Sequence, residues 1–382
     1  MPTDVAEWFG LKRPNFILDP KKDSAFYAAR TGVDIPSIIQ GLQVSLVTDR
    51  PPKRFFWGVY GGGKTHTLYH VASQLEKLLD IYPVYVECPS VPKRSTFLDL
   101  YHDGILASIG QEIVISLFQD LIRDIGVVRF DELLKNLKDI LEDEELSRAV
   151  ASLLGARPER ELAFWRYVSG VSVPGRDLNE LNQTQALADA IPSRLANIVI
   201  ILGRVIKRLR NKTLVLILDE IDRLKSVSDE YGISTYEEAF RRLVDENQRA
   251  VAILLGCSAV NIRDLPDIIG AESGAILSRV GRHNLIPISE ISTEDVDDFI
   301  KKILGYVVDA TQARNKTSKY AGKTDEELLP ELFPFTKQAL EALKGTLRGI
   351  MTPREITQRM SDLAGKAFLM KRPIITQELV GG

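Results

Sequence analysis

Cysteine is scarce in this chain: its 382 residues include only Cys88 and Cys257, each following an apolar, strand-like run. Neither has a second thiol at metal-ligand spacing, so both read as buried free thiols in a reducing compartment. Histidine is scarce too, and His66, His70, His102 and His283 form no metal-binding pattern. No apolar run approaches the roughly 20 residues needed to span a bilayer. The start, Met1-Pro-Thr-Asp-Val-Ala-Glu7, lacks the basic region and apolar core of a secretory signal. These absences lead us to expect a cytoplasmic protein with no membrane partner. A net charge of −3 gives neither sign a large excess. An apolar share of 45% with 26% charged residues suits a soluble globular protein, long enough for about two to three domains.

What is present begins with Gly58-Val-Tyr-Gly-Gly-Gly-Lys64-Thr65, which fits G-x-x-x-x-G-K-[ST] at every fixed position. Upstream, Arg54-Phe-Phe-Trp57 reads as the end of a strand. Downstream, Leu68, Val71, Ala72, Leu75, Leu78 and Leu79 recur at helical spacing. Strand, glycine turn and helix start thus arrive in the order a phosphate-binding loop requires. Glycines let backbone N–H groups close around a phosphate, and the helix N-terminus adds partial positive charge. Gly58, Tyr60, Gly61, Gly62, Gly63, Lys64, Thr65 and His66 are the expected nucleotide-binding residues. Lys64 would reach the β- and γ-phosphates, and the Thr65 hydroxyl would ligate Mg²⁺. The competing reading is a glycine-rich strand-to-helix turn that happens to carry a lysine.

Leu214-Val-Leu-Ile-Leu218 is an unbroken apolar run that ends in Asp219-Glu220, the pattern of a strand buried on both faces of a parallel sheet. A carboxylate at such a strand end lies on the ligand-binding edge of the sheet. Asp219 would hold the Mg²⁺ shell and Glu220 would deprotonate the attacking water. The alternative is a buried strand followed by a solvated acidic loop.

Residues 1–53 read as an approach segment, with helical patterns near 23–30 and 35–47, closed by Pro51-Pro52. An α/β core is expected over 54–304. Its second strand is Tyr82-Pro-Val-Tyr-Val-Glu-Cys88, stopped by Pro89 and Pro92. Between that strand and Asp219 lies a long helical stretch at about 97–212, with helices expected over 97–125, 130–154, 159–168 and 186–210. It reads as an insertion that forms a partner surface or braces the sheet. Further core pieces are a helix over 235–248, the run Val251-Ala-Ile-Leu-Leu-Gly256 ending in Cys257-Ser258, the short run Leu285–Ile288, and a capped helix over 294–304. Residues 305–382 read as a helical lid domain with a polar loop at 311–325. Within it, Thr352-Pro353-Arg354-Glu355 is a helix start with a reciprocal capping box.

Charge is unevenly placed. Residues 131–145 carry seven acids against two bases, 301–323 six bases against one acid, and 337–372 eight bases against three acids. The basic C-terminal part suits duplex DNA, while a solvated helical surface would look the same at this level.

The order of parts resembles the AAA+ ATPases, nearest the clade of replication initiators and transposition regulators. The resemblance spans roughly residues 35–380. It implies a parallel five-stranded core with a C-terminal helical lid. It also implies that Ser258, with Cys257 in reserve, orients the attacking water. Ser278-Arg279-Val280 matches the segment that supplies an arginine finger to a neighbouring subunit, with Arg282 a second candidate, and Arg354 matches the lid arginine that touches the γ-phosphate in cis. A narrower likeness, to the ATP-binding domain of BREX-type phage-defence ATPases, rests on Gly58–His66, Tyr167-Val-Ser-Gly170 and Asp219-Glu-Ile-Asp222. The chain departs from both groups: BREX-type proteins are usually much longer, and no winged-helix segment is evident after the lid.

These readings converge on a Mg-ATP-hydrolysing ATPase that self-assembles into a ring or filament and remodels or loads something on DNA. The helical insertion would serve a protein effector. A nucleotide-dependent switch that recruits an effector, reset by hydrolysis, is the alternative. A phosphotransferase built on the same loop is disfavoured, because no acceptor site is legible and Glu220 favours water.

Overall fold

The computed structural model describes residues 4–381 apart from 30–32, 49–51, 79, 91, 128, 172, 184, 188–190, 246–249, 262–263, 265–276 and 348–350. The chain forms two compact units, one of residues 39–57 and 75–286, the other of residues 1–38, 58–74 and 287–382.

The first unit is built on a five-stranded sheet. Its strands are β1 (Lys53–Gly58), β2 (Ile81–Glu87), β3 (Thr213–Asp219), β4 (Val251–Ser258) and β5 (Leu285–Pro287), in the order β2-β3-β4-β1-β5. β2 and β3 run parallel, with Ile81 opposite Thr213 and Glu87 opposite Asp219. β3 and β4 are also parallel, from Leu214 opposite Val251 to Leu218 opposite Leu255. Every residue of β3 is buried, and so is every residue of β4 except Ser258. That is why both strands are continuous apolar runs rather than alternating ones. The α/β class expected from the sequence, a five-stranded sheet flanked by helices, is the class observed.

The stretch between β2 and β3 is helical, but more broken than its periodicity suggests. Residues 97–125 form two helical pieces, bent by 75° at Gly110, whose φ of +93° ends the first piece. Residues 130–154 hold two helices, Phe130–Leu141 and Glu144–Ala151, separated by Glu142 in the left-handed conformation and Asp143, which caps the second. Pro192 starts the long helix Pro192–Arg210. Side chains of these helices, among them Phe118, Phe164 and Leu202, share one apolar core with Leu216 and Leu218 of the sheet. The insertion therefore braces the sheet. At Gly203 a Cβ would lie 2.7 Å from the Ala250 carbonyl oxygen, so the helix passes close to the backbone that leads into β4. Among the described residues no single helix is long and apolar enough to cross a membrane.

The second unit has its own core, including Phe9, Phe16, Phe299, Ile303, Phe333, Phe335, Ile356 and Met360. Its N-terminal segment is bound to its C-terminal helices: Leu11 bridges Val308 in antiparallel fashion and Asp309 N donates to Gly10 O. Two expectations fail here. No helix forms at 23–29; the chain turns over 20–25 and runs on without regular structure to 29. The buried Asp23 carboxylate accepts from Asp19 N and from both terminal nitrogens of Arg13, so its side chain organises a turn instead. Conversely, the polar stretch expected as a loop is the helix Ala310–Tyr320, capped by Asp309, whose carboxylate accepts from Gln312 N at 2.8 Å. Composition hid this helix because only Ala313 and Thr317 are buried along it.

Candidate nucleotide site

The phosphate loop follows β1, and the helix Lys64–Leu78 starts on its lysine. Gly61 and Gly63 have φ of +75° and +88°, a region that side chains disfavour. At Gly58 a Cβ would lie 2.1 Å from Ile288 O, so only glycine fits the approach of the two segments. Lys64 is buried, and its Nζ donates to Gly58 O at 3.1 Å and Val59 O at 2.8 Å, arching the side chain back over the loop. Thr65 stands in the first turn of the helix.

The helix Pro353–Leu369 begins against this loop. A Cβ on Gly61 would lie 3.3 Å from both Arg354 Cβ and Thr352 Oγ1. Arg354 Nη1 donates to Tyr60 Oη at 2.6 Å, and its guanidinium carbon lies 5.0 Å from the Tyr60 ring centroid. Tyr60 is otherwise 71% exposed. Thr352 caps the helix by accepting from Glu355 N, but the box is not reciprocal: the Glu355 carboxylate accepts from Arg359 Nε at 2.7 Å, one turn on. His66 and His70 hold residues 24–27, with His66 Nε2 2.7 Å from Phe26 O, His70 Nδ1 2.8 Å from Ser24 O, and the His70 ring stacked on Tyr27. Sequence reasoning missed that anchoring, and nothing local in the chain signals it.

In the other unit, Asp219 ends β3 and is 1% exposed. Its Oδ2 accepts from Tyr85 Oη at 2.5 Å and its Oδ1 from Glu220 N at 2.8 Å. Tyr85 is a residue the sequence reading passed over; its signal was only its place on β2. Glu220 has a φ of +55°, an uncommon conformation for a non-glycine residue. Its carboxylate pairs with Arg223, which also donates to Glu87 Oε1 at 2.8 Å and Cys88 O at 2.7 Å. Burial raises the Glu220 carboxyl above its ordinary pKa, Arg223 opposes that, and Glu87, Asp219 and Asp222 add to it. A raised carboxyl pKa makes a better proton acceptor. Ser258 N donates to Asp222 Oδ1 at 2.7 Å, which ties the tip of β4 to the acidic segment after β3. Both cysteines are buried and outside any disulfide; burial pushes the Cys88 thiol up, away from nucleophilic chemistry.

Arg279 lies on the short helix Leu277–Val280, and its Nε pairs with Asp245 Oδ2 at 2.5 Å within the same chain. The side chains of Ser278 and Arg282 lie outside the described residues. The Tyr167–Gly170 run serves packing: Tyr167 is buried, and Gly170 abuts Leu98 at a φ of +73°. Among the described residues no cluster of three or more His, Cys, Asp or Glu could hold a metal ion by itself.

No protein-family model and no curated protein matches the chain. Solved structures do. The ORC2 protein of Aeropyrum pernix, crystallised as ADPNP–ADP complexes, aligns over 97% of this chain and 70% of its own at a TM-score of 0.51 and 13% identity. The A. pernix ORC1 protein in complex with DNA aligns over 96% and 64% at 0.45 and 11%. Cdc6p of Pyrobaculum aerophilum aligns over 94% and 68% at 0.45 and 11%. At these identities the first alignment establishes a shared fold.

Proposed function

We propose that this chain is a Mg-dependent AAA+ ATPase. The observation that carries the reading is the phosphate loop, where glycine is required at Gly58, Gly61 and Gly63 and the buried Lys64 is held over the loop. Those residues fit a nucleoside triphosphate. Thr65 and Asp219 offer the hard oxygen donors that Mg²⁺ takes, and the ion would neutralise charge on the β- and γ-phosphate oxygens. Glu220 accepts a proton from the attacking water, aided by its raised pKa. Ser258 orients that water, Arg354 places its guanidinium on the γ-phosphate, and Arg279 or Arg282 does so from a neighbouring protomer. The nucleotide complexes of the ORC2 structure, which shares the fold, are consistent with this assignment.

The wider reading is an oligomeric ATPase that couples turnover to remodelling or loading on duplex DNA. Two intrachain contacts favour a variant of it, in which nucleotide state switches an assembly and hydrolysis only resets it. Arg223 holds Glu220, and Asp245 holds Arg279, so both groups need release before they act. A low basal rate follows. An assignment to phage defence draws no chemical support from Tyr167–Gly170, whose features are those of packing.

The test is ATP turnover and nucleotide binding for the wild type, Glu220→Gln and Lys64→Ala. Glu220→Gln should bind ATP normally and lose at least ~100-fold in turnover, while Lys64→Ala should lose binding. Wild-type turnover in Glu220→Gln sinks the general-base assignment. Partner recruitment that survives in Glu220→Gln favours the switch over the motor.

A further inference from the structure

The helix Ala310–Tyr320 buries only Ala313 and Thr317. A helix so polar is ordinarily stabilised by ion pairs along its surface or by a partner. It has no ion pairs of its own, since no acid occurs between residues 310 and 323. Two nearby acids meet other positions of the helix: Asp309 caps it, and Glu7 faces Lys316, whose Nζ donates to Glu7 O and Trp8 O. Arg314 and Lys319 form no ion pair among the described residues; Lys319 Nζ lies 5.5 Å from the Tyr320 ring centroid.

The other basic stretch differs. In 337–372, Lys337 pairs with Glu327, Lys344 with Asp297 and Glu341, Arg359 with Glu355, and Arg372 with Glu378. Four of its eight cations are thus neutralised within the chain, whereas Arg314 and Lys319 of the helix have no such pair among the described residues.

At 3.6 residues per turn, Arg314, Ser318, Thr311, Asn315 and Lys319 follow one another around about 140° of the exposed face. A cation marks each edge of the arc, and two hydroxyls and an amide lie between. We infer that this face docks in the major groove of duplex DNA, an inference that rests on the DNA-directed reading above. Eleven residues span about 16 Å and a helix fits that groove, with cations at its flanks reaching phosphates on either side. Hydroxyls and amides both donate and accept, which suits base edges. An acidic protein would need only the cations, and a lipid surface would need apolar anchors that this face lacks.

The test is fluorescence anisotropy of the full chain with a labelled duplex of roughly two helical turns, over roughly 50–200 mM salt. Arg314→Gln with Lys319→Gln should weaken binding severalfold and flatten the slope of log affinity against log salt by about 1.8. Thr311→Ala, Asn315→Ala and Ser318→Ala together should weaken it with the slope unchanged. Lys337→Gln with Lys344→Gln, whose cations are already paired within the chain, should bind as wild type. Double-stranded RNA, whose deep and narrow major groove does not admit side chains, should bind more weakly. Wild-type affinity in the Arg314–Lys319 double variant, or equal affinity for the RNA duplex, overturns the inference. Circular dichroism and DNA-free ATP turnover of the variants check their folding. Failure of DNA binding with intact turnover removes this inference alone; DNA binding through the helix without wild-type turnover removes the ATPase reading instead.

Discussion

At the scale of single residues, the Glu220 carboxylate and its neighbours form a small electrostatic balance. Glu220 is raised by burial and by three acids, and lowered by the one guanidinium that touches it. Removing that guanidinium takes away the opposing influence. Arg223→Ala should therefore move the acid limb of the ATPase pH profile to higher pH, because Glu220 must be ionised to accept a proton. An unmoved limb would mean that Glu220 is not the titrating base. Tyr60 invites a second substitution. Tyr60→Phe keeps the ring under Arg354 and removes the oxygen that accepts from it at 2.6 Å. If the tyrosine only parks the lid arginine, Tyr60→Phe should leave kcat unchanged or higher, whereas Tyr60→Ala, losing ring and hydroxyl, should raise KM. The motif made the loop residues legible, since glycine spacing and a lysine at the helix start are local features. It could not indicate that Arg354 would rest on Tyr60, 294 residues away.

Among the elements, the N-terminal segment is held by one ion pair of unusual quality. Arg13 donates twice to Asp23, which Tyr306 also contacts, and the Asp23 side chain is 4% exposed. These hydrogen bonds hold the Asp23 carboxyl below its ordinary value of 3.8, Arg13 foremost. A depressed pKa means stabilisation that is complete above the unfolded value and lost as pH falls through the folded one. Arg13→Ala leaves the buried carboxylate without its partner. It should cost about 3 kcal/mol by urea denaturation at pH 7, with the difference shrinking once the pH drops below 3.8. A constant difference across that range would assign the loss to packing. The helix at 310–320 teaches the converse lesson. Its residue types match a loop, yet Asp309 caps it and Ala313 and Thr317 are buried along it. Sheet strands were easier to read, because a run buried on both faces has one composition.

For the whole molecule, the open question is assembly. Arg279 is paired with Asp245 inside its own chain, so service to a neighbour requires that pair to exchange for a phosphate. Turnover per subunit should rise with protein concentration. Arg279→Ala and Glu220→Gln, each inactive alone, should regain activity when mixed, because one mutant offers the finger and the other the intact base. Co-assembled mixtures that stay inactive would argue for a site completed within one chain.

The sequence by itself determined the parts whose physics is local. Glycine permits the loop, a lysine at the helix start gives it charge, unbroken apolar runs become buried strands, and Asp219-Glu220 ends one of them. Tertiary structure decided the pairings: Arg223 with Glu220 and Glu87, Tyr85 with Asp219, and the N-terminal segment with the C-terminal helices. Such pairings depend on which distant side chains the folded core brings within hydrogen-bond reach. Chain order and periodicity carry no record of that distance.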